Sequence, residues 1–270
     1  MVDLVQQECN KKEDKMEKFF SVIMPNYNNG EWLSQSLSSI FNQTFKDYEV
    51  IVVDDCSTDN SIEEIKKFDV NLIECTEKVF NGGGRNLGIK AATGKYILFL
   101  DSDDWFNDEN VFQKIYNKII ENDYPDCVSL SYDCLIGKNK SLQVMDRNNQ
   151  KELVESLYVA CWTKCVKREL VPLFPENTLM EDVVQHIKCC DKLKTIVSIK
   201  EPMVVWNRNN MNSCSREENQ NLQQGKWQSS MYRYAADLMD FSCENQVCED
   251  HRKWRLGICL NNIQDGKYIQ

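Results

Sequence analysis

The feature that most constrains this chain is a series of short apolar segments, each stopping abruptly at a polar loop. Phe19–Pro25 (FFSVIMP), Tyr48–Val53 (YEVIVV), Val70–Glu74 and Tyr96–Leu100 (YILFL) are strand-sized and apolar without alternation. That pattern belongs to strands buried on both faces. Helices are predicted between them. The first carries Leu33, Leu37, Ile40 and Phe41 on one face. The second is capped by Asn60 or Ser61, each with a Glu three residues on. The third is a glycine-led start over Gly82–Ala92. Strand and helix in alternation imply an α/β fold, a Rossmann-like, mostly parallel sheet flanked by helices. Ligands of such sheets bind beyond the carboxyl ends of the strands. The polar clusters Pro25–Asn28, Asp54–Ser57 and Asp101–Asp104 all fall there, so three loops should converge on one edge.

Beyond residue 110 the pattern mixes. Helices are expected over Glu109–Asn122, Lys151–Leu157 and Glu181–Leu193, a strand over Asp126–Tyr132, and extended chain over Val159–Val166. Lys138–Gln150 reads as a polar excursion, and Thr195–Ile199 and Met203–Trp206 as two short strands. Residues 217–244 should be mostly helical, with Leu222, Trp227, Met231, Tyr234, Leu238 and Phe241 as the apolar set. No repeat or Pro/Gly linker divides the 270 residues, which suit one domain with a modest appendage.

Composition excludes several classes of function. Thirteen cysteines, an odd number without a C-x-x-C pair, and only two histidines argue against a zinc site or a disulfide framework. They read as reduced thiols in a cytoplasmic protein. The net charge is −10, and the acidic excess lies in the first 150 residues. Neither the basic face of a nucleic-acid binder nor the basic cluster of a lipid binder is present. The short basic stretch His251–Arg255 reads as a solvated helix face. No apolar run approaches the ~20 residues of a spanning helix. Met1–Lys18 is a charged leader without the apolar centre of a signal peptide, so membrane association is at most peripheral.

Four segments carry chemistry. Leu100-Asp101-Ser102-Asp103-Asp104 crowds three carboxylates directly after a buried strand. They repel unless a cation or hydrogen-bond donors compensate. Mg²⁺ or Mn²⁺ suits them, and so does a turn with a helix cap. Val53–Asp59 places Asp55 where it can accept an N–H from a base lying against Tyr27, though either residue alone also serves structure. Asn81-Gly82-Gly83-Gly84-Arg85-Asn86-Leu87-Gly88 has G-x-G-x-x-x-G spacing, which excludes a dinucleotide site and puts Arg85 near a diphosphate or the Asp cluster. Met180-Glu181-Asp182 opens a helix, where the dipole favours acids; the alternative is a general base. Being consecutive, Glu181 and Asp182 are expected to point in different directions.

Taken together, these segments resemble glycosyltransferase family 2, with its GT-A fold. Ser21–Asn28, Ile40–Phe45, Glu49–Asp59 and Gly84–Asp104 are similar to its opening strand, first helix, nucleoside turn and DXD segment. Ala160-Cys161-Trp162-Thr163-Lys164 resembles its W-x-K segment, Glu181-Asp182 its ED motif, and Trp206–Ser213 the loop that closes over the diphosphate. The resemblance implies a catalytic domain over 19–215, split into a nucleotide-binding half (19–106) and an acceptor-binding half (107–215), with a helical extension over 216–270. It implies that Pro25, Tyr27 and Asp55 hold the nucleoside, that Arg85 faces the phosphates or orients the Asp cluster, and that Asp101 contacts ribose or sugar. Asp103 would bind Mn²⁺ or Mg²⁺, supported by Asp104, and Asp182 would be the base. Glu181, Trp162 and Lys164 would line the acceptor side, and Arg208 would serve the leaving diphosphate in place of a late histidine that Trp206–Ser213 lacks.

The implied activity is inverting, metal-dependent hexosyl or N-acetylhexosaminyl transfer, with a UDP-sugar as the favoured donor. The acceptor hydroxyl would belong to a saccharide or lipid-linked saccharide in cell-surface polysaccharide synthesis. The work would be done in the cytoplasm or at the inner face of the cell membrane. Two rivals stand beside it. A nucleotidyltransferase should show a basic Gly-rich loop after the first strand, whereas Tyr27-Asn28-Asn29-Gly30 has no Lys or Arg. A non-catalytic nucleotide-sugar-binding protein on the same fold would lack metal-dependent donor hydrolysis.

Overall fold

Strand β1 (Phe20–Asn26) is buried along its whole length, as its unbroken apolar run requires. It pairs in parallel with β2 (Tyr48–Asp54) and with β4 (Tyr96–Phe99), and β2 pairs in parallel with β3 (Asn71–Glu74). The computed structural model describes residues 17–156, 159–176, 180–211, 213 and 224–264. The leader up to residue 16 and the expected helical positions 217–223 lie outside the described residues, as does Leu157.

Helices α1 (Gly30–Phe41), α2 (Ser61–Ile65) and α3 (Phe80–Ala91) supply the crossovers between these strands. Leu33, Leu37 and Ile40 of α1 are fully buried, as their spacing predicts. Each such side chain contributes roughly 1.5–3 kcal/mol through burial. Helix α3 begins at Phe80, not at the glycines, which sit within its first turns. A methyl group at Gly82 would come within 2.5 Å of the Pro175 carbonyl oxygen, and one at Gly88 would drive into Ile23. The glycines therefore let α3 lie close on β1 and on the segment at Pro175, and this brings Arg85 to the strand ends.

The second half is mixed in direction. The strand order is β3-β2-β1-β4-β8 (Lys164–Lys167)-β6 (Cys127–Ile136)-β9 (Ile196–Asn207)-β5 (Trp105–Phe106), with β7 (Asn139–Gln143) on the side of β6. Strand β8 (Lys164–Lys167) runs antiparallel to both β4 and β6 (Cys127–Ile136). It follows a 3₁₀ turn, Cys161–Thr163, inside the segment expected to be extended. The two short strands expected near residues 195–206 are one strand, β9 (Ile196–Asn207), parallel to β6 with an irregular register at Ser131 opposite Pro202. Proline has no N–H for the ladder, and the strand bulges there instead of ending.

Three elements carry no apolar pattern that would have announced them. The two-residue strand β5 (Trp105–Phe106) pairs with β9, and β7 (Asn139–Gln143) lies exposed in the expected polar excursion. Helix α8 (Gln246–Gln264) follows α7 (Gln224–Met239) and packs on α5 (Gln150–Val154) and α6 (Glu181–Lys192) through residues such as Cys248. Helix α4 (Val111–Glu121) buries Val111, Phe112, Ile115 and Ile119 on its inner face. Among the described residues, no helix is long and apolar enough to cross a membrane.

Candidate active site

The loops after β1 and β2 are stitched together by their own side chains. Asn26 donates to Asp54 Oδ1 at 2.7 Å, and Ser57 donates to the same oxygen at 2.6 Å. The amide of Asn28 donates to Ser57 Oγ at 2.9 Å, and the Thr58 amide to Asn28 Oδ1 at 2.7 Å. Asn28 and Cys56 take left-handed backbone at φ 50° and 58°. Such positions are costly for residues other than glycine, and the surrounding hydrogen bonds hold them. Pro25 lies next to last in β1 inside the sheet, opposite Val53, while the Tyr27 ring is 45% exposed above the strand ends.

Asp55 is buried and fastens the turn into α3. Its two carboxylate oxygens accept the amides of Val79 at 2.7 Å and Phe80 at 3.1 Å. Phe80 is also left-handed, at φ 58°. Lys78, which the sequence reading did not single out, reaches the Asp55 carbonyl at 2.5 Å and lies 2.7 Å above the centre of the Tyr27 ring.

In the DXD segment, the three carboxylates have three different partners. Asp101 accepts from Arg85 Nη2 at 2.8 Å. Asp103 accepts from Asn210 Nδ2 at 2.8 Å, and that amide also donates to Asn29, whose own amide donates to Ser102. Asp104, almost fully buried, accepts the amide of Asn207 at 2.8 Å. Burial and then the charge of Asp101 push Asp103 up to about 6. Burial, with Asp103 and Asp101 beside it, holds Asp104 well above the usual carboxylate range. The segment thus crowds carboxyls closely enough that Asp103 and Asp104 resist carrying charge together in the absence of a further cation. Asn207, Asn210 and Asn29 were not foreseen individually; the run of asparagines after β9 was the available sign.

Arg85 is the hub of the site. Its guanidinium is buried, and Nη1 faces Glu181 at 3.1 Å and Asp182 at 3.4 Å, while Nη2 holds Asp101. The expected divergence of Glu181 and Asp182 is therefore corrected: both carboxylates turn to one nitrogen. The reason lies in Asn86. Its side chain both donates to the Phe174 carbonyl and accepts the Phe174 amide, at 3.0 and 2.8 Å. That clamp pins the segment before α6 against α3 and delivers the first turn of α6 to the guanidinium. Three carboxylates share one cation, so protonation is favoured at the most enclosed of them. Burial, then the neighbouring Asp182, push Glu181 up to about 7. Asp182 is raised as well, by burial, against the pull of Arg85. The Asp182 side chain is 28% exposed, against 11% for Glu181.

Trp162 and Lys164, expected on the acceptor side, lie below the surface. Lys164 is buried, and its ammonium is held by the carbonyls of Val159 and Ala160 and by His186 Nδ1 at 3.2 Å. Burial, with Lys164 and Arg147 nearby, keeps His186 neutral. Trp162 packs edge-on against Tyr132 and lies 6.2 Å from the ring of Trp206. Trp206 is the half-buried member of this ladder, and Arg208 stacks on it at 4.6 Å, two residues before Asn210.

Residues 21–166 match the sequence profile of Glycosyl transferase family 2. The chain belongs to this family. The nucleotidyltransferase reading gives way to that membership. Among its glycosyltransferase relatives is the poly(ribitol-phosphate) beta-N-acetylglucosaminyltransferase TarP of Staphylococcus aureus, 40% identical over 129 residues. That match covers 45% of this chain and 36% of TarP. A poly(ribitol-phosphate) beta-glucosyltransferase of Bacillus spizizenii is 42% identical over 131 residues, 45% of this chain and 19% of the relative. The matched part is thus well under half the length of either relative. Staphylococcal TarS 1–349, solved with UDP-GlcNAc, superposes with a TM-score of 0.71 at 23% identity, over 90% of this chain and 72% of that one. The mannosyltransferase of Pyrobaculum calidifontis, solved with GDP-Man and Mn²⁺, gives 0.63 at 15% identity, over 94% and 76%. These superpositions establish the GT-A fold.

A divalent cation fits the DXD segment in a limited way. Among the described residues, no group of three or more His, Cys, Asp or Glu forms a ready-made cage. Asp101 is committed to Arg85 and Asp104 is almost fully buried on the Asn207 amide, while Asp103 accepts the neutral side-chain amide of Asn210 and keeps lone pairs that a cation could use. One carboxylate oxygen with phosphate and water in the remaining positions is the arrangement Mg²⁺ accepts and Mn²⁺ shares.

Proposed function

We propose that this family member transfers a hexose or N-acetylhexosamine from a UDP-sugar to a hydroxyl of a cell-surface polymer, with inversion at the anomeric carbon. The observation that carries the reading is the shared guanidinium. Asp101 and Asp182 sit 2.8 and 3.4 Å from nitrogens of one buried Arg85, so the DXD segment and the ED motif face a common space. Tyr27, Pro25 and Asp55 form the nucleoside end, and Asp101 is fixed for ribose or sugar. Arg208, stacked on Trp206 two residues before Asn210, is assigned to the leaving diphosphate in this reading. Relatives named as poly(ribitol-phosphate) N-acetylglucosaminyl- and glucosyltransferases support a polyol-phosphate or saccharide acceptor, and the TarS structure with UDP-GlcNAc supports a UDP-sugar donor.

In the reaction the acceptor oxygen attacks the anomeric carbon as Asp182 takes its proton, and the bond to the diphosphate breaks with the electron pair leaving on oxygen. Asp182 suits this part because it is the more exposed of the ED pair, while Glu181 retains its proton near neutrality. Arg85 keeps Asp182 oriented and Asp101 fixed. A Mn²⁺ or Mg²⁺ ion held by Asp103, with Asp104 behind it, would supply Lewis-acid stabilisation of the diphosphate.

The test is release of UDP from UDP-GlcNAc and UDP-glucose with Mn²⁺, with and without a poly(ribitol phosphate) or teichoic-type acceptor. Metal-dependent turnover lost in Asp182→Asn supports the reading. Nucleotide binding without any turnover, over a range of donors and acceptors, points to a non-catalytic binding protein.

A further inference from the structure

Lys164 has no part in the proposed reaction, yet it places a cation inside the protein at the start of β8. An ammonium has three N–H donors, and three acceptors meet this one. They are the carbonyl oxygens of Val159 at 3.1 Å and Ala160 at 2.9 Å, and His186 Nδ1 at 3.2 Å. His186 Nε2 lies 3.0 Å from the Leu153 carbonyl, so the neutral ring carries its proton there and offers Nδ1 as an acceptor. All three partners are neutral. A buried cation with neutral partners is costly unless negative charge lies close by.

Helix α6 supplies that charge. Asp182 and His186 are four residues apart on it, so their side chains share one face at a spacing of about 5–6 Å. The ammonium held by His186 therefore lies one turn behind Asp182. The same ammonium clamps the chain ahead of β8. The Ala160 carbonyl also takes the Thr163 amide at 3.2 Å and the Thr163 hydroxyl at 2.7 Å, which closes the 3₁₀ turn Cys161–Thr163. The buried Cys161 thiol, at the head of that turn, donates to Asp182. The charged and titratable groups facing Asp182 are thus Arg85 from α3, Asp101 from the turn after β4, Glu181 beside it, Cys161 and Lys164. Burial raises the Asp182 carboxyl, and Arg85 and then Lys164 pull it back.

We propose that Lys164 is a positioning residue for the base: its ammonium is a fixed second positive charge behind Asp182, and it locks the turn whose thiol meets the same carboxylate. Arg85 is shared among three acids. Lys164 lets Asp182 be the ionised member of the ED pair while Glu181 holds the proton.

The inference rests on the reading of Asp182 as the base, and the experiment separates the two. The full chain is followed by kcat against pH with Mn²⁺, poly(ribitol phosphate) and UDP-GlcNAc or UDP-glucose, whichever wild type turns over, beside donor affinity by calorimetry. Lys164→Met removes charge and donors, Lys164→Gln keeps donors without the charge, and Lys164→Arg keeps both. In the Met and Gln variants the acidic limb of kcat, where the base loses its charge, should move up by about one pH unit, the lower end of the effect of a nearby opposite charge. On that limb kcat should then fall about tenfold. Donor affinity should stay unchanged, and Lys164→Arg should restore most of the limb. An unmoved limb in Lys164→Gln, or a loss of kcat that is equal at every pH, reduces Lys164 to a structural clamp and overturns the proposal. Where these variants do not fold, wild type carries the test: the protected Lys164 ammonium should give a nitrogen-15 signal that shifts in Asp182→Asn, and a signal left in place overturns the proposal as well. A wild type without turnover, or an Asp182→Asn variant with full turnover, defeats the base reading itself, and the nitrogen-15 shift then decides alone whether the ammonium answers to Asp182.

Discussion

Replacing Glu181 with glutamine should make the chain more stable at alkaline pH, and the size of the effect follows from the crowding around Arg85. Asp101, Glu181 and Asp182 share one buried guanidinium, which leaves an excess of negative charge. Glu181 is the least exposed of the three acids and keeps its proton up to about 7, against an ordinary value of 4.5. Between those values the folded chain binds a proton that the unfolded chain has released, so stability falls as pH rises through the window and levels off above it. At about 1.4 kcal/mol per pH unit, the loss amounts to about 3 kcal/mol. Gln keeps the oxygen that accepts from Arg85 Nη1 and carries no charge. Urea denaturation of Glu181→Gln should therefore show a shallower fall across this window, since Asp103, Asp104 and Asp182 still give up their protons there, and near about pH 8 the variant should exceed wild type by up to about 3 kcal/mol. Parallel pH profiles for the two chains, or a variant weaker at every pH, would refute the shared-cation argument.

Three further outcomes can be checked directly. Asp182→Asn should lower kcat about 10²–10⁴-fold while leaving UDP-sugar affinity unchanged by calorimetry; near-normal kcat together with a dead Glu181→Gln would transfer the base role to Glu181. Asp103→Asn should weaken Mn²⁺-dependent UDP binding and cut turnover by orders of magnitude, and full activity of wild type in EDTA would remove the metal from the scheme. Gly88→Ala should cost about 1–3 kcal/mol in chemical denaturation, because its methyl group collides with the buried Ile23; an unchanged midpoint would mean that α3 does not lie as close to β1 as described.

Local chemistry alone determined a good part of this protein. Unbroken apolar runs such as Ile51–Val53 and Ile97–Phe99 can satisfy their burial only inside a covered sheet, and their abrupt polar ends mark the ligand edge. The family resemblance, carried by contiguous residues from Phe20 to Phe106, was legible for the same reason: each motif is one strand end with its own loop. Elements without an internal pattern were not legible. Strand β7 is polar and exposed, and β9 passes through a bulge at its own Pro202 that reads as a break. Burial of Lys164 and the inward turn of Trp162 depend on what packs around them, so a motif placed them near the site without telling which way they face.

The partnerships in the site were decided by the tertiary structure. Arg85 and Glu181 are 96 residues apart and meet only because Asn86 clamps Phe174 and the glycines let α3 settle on the sheet. Asp103 and Asn210, 107 apart, meet because β9 ends beside the DXD turn. Charge of this kind has no meaning residue by residue. Which carboxylate keeps its proton, and which stays open to act, depends on how many acids are folded around one cation and how little water is left between them.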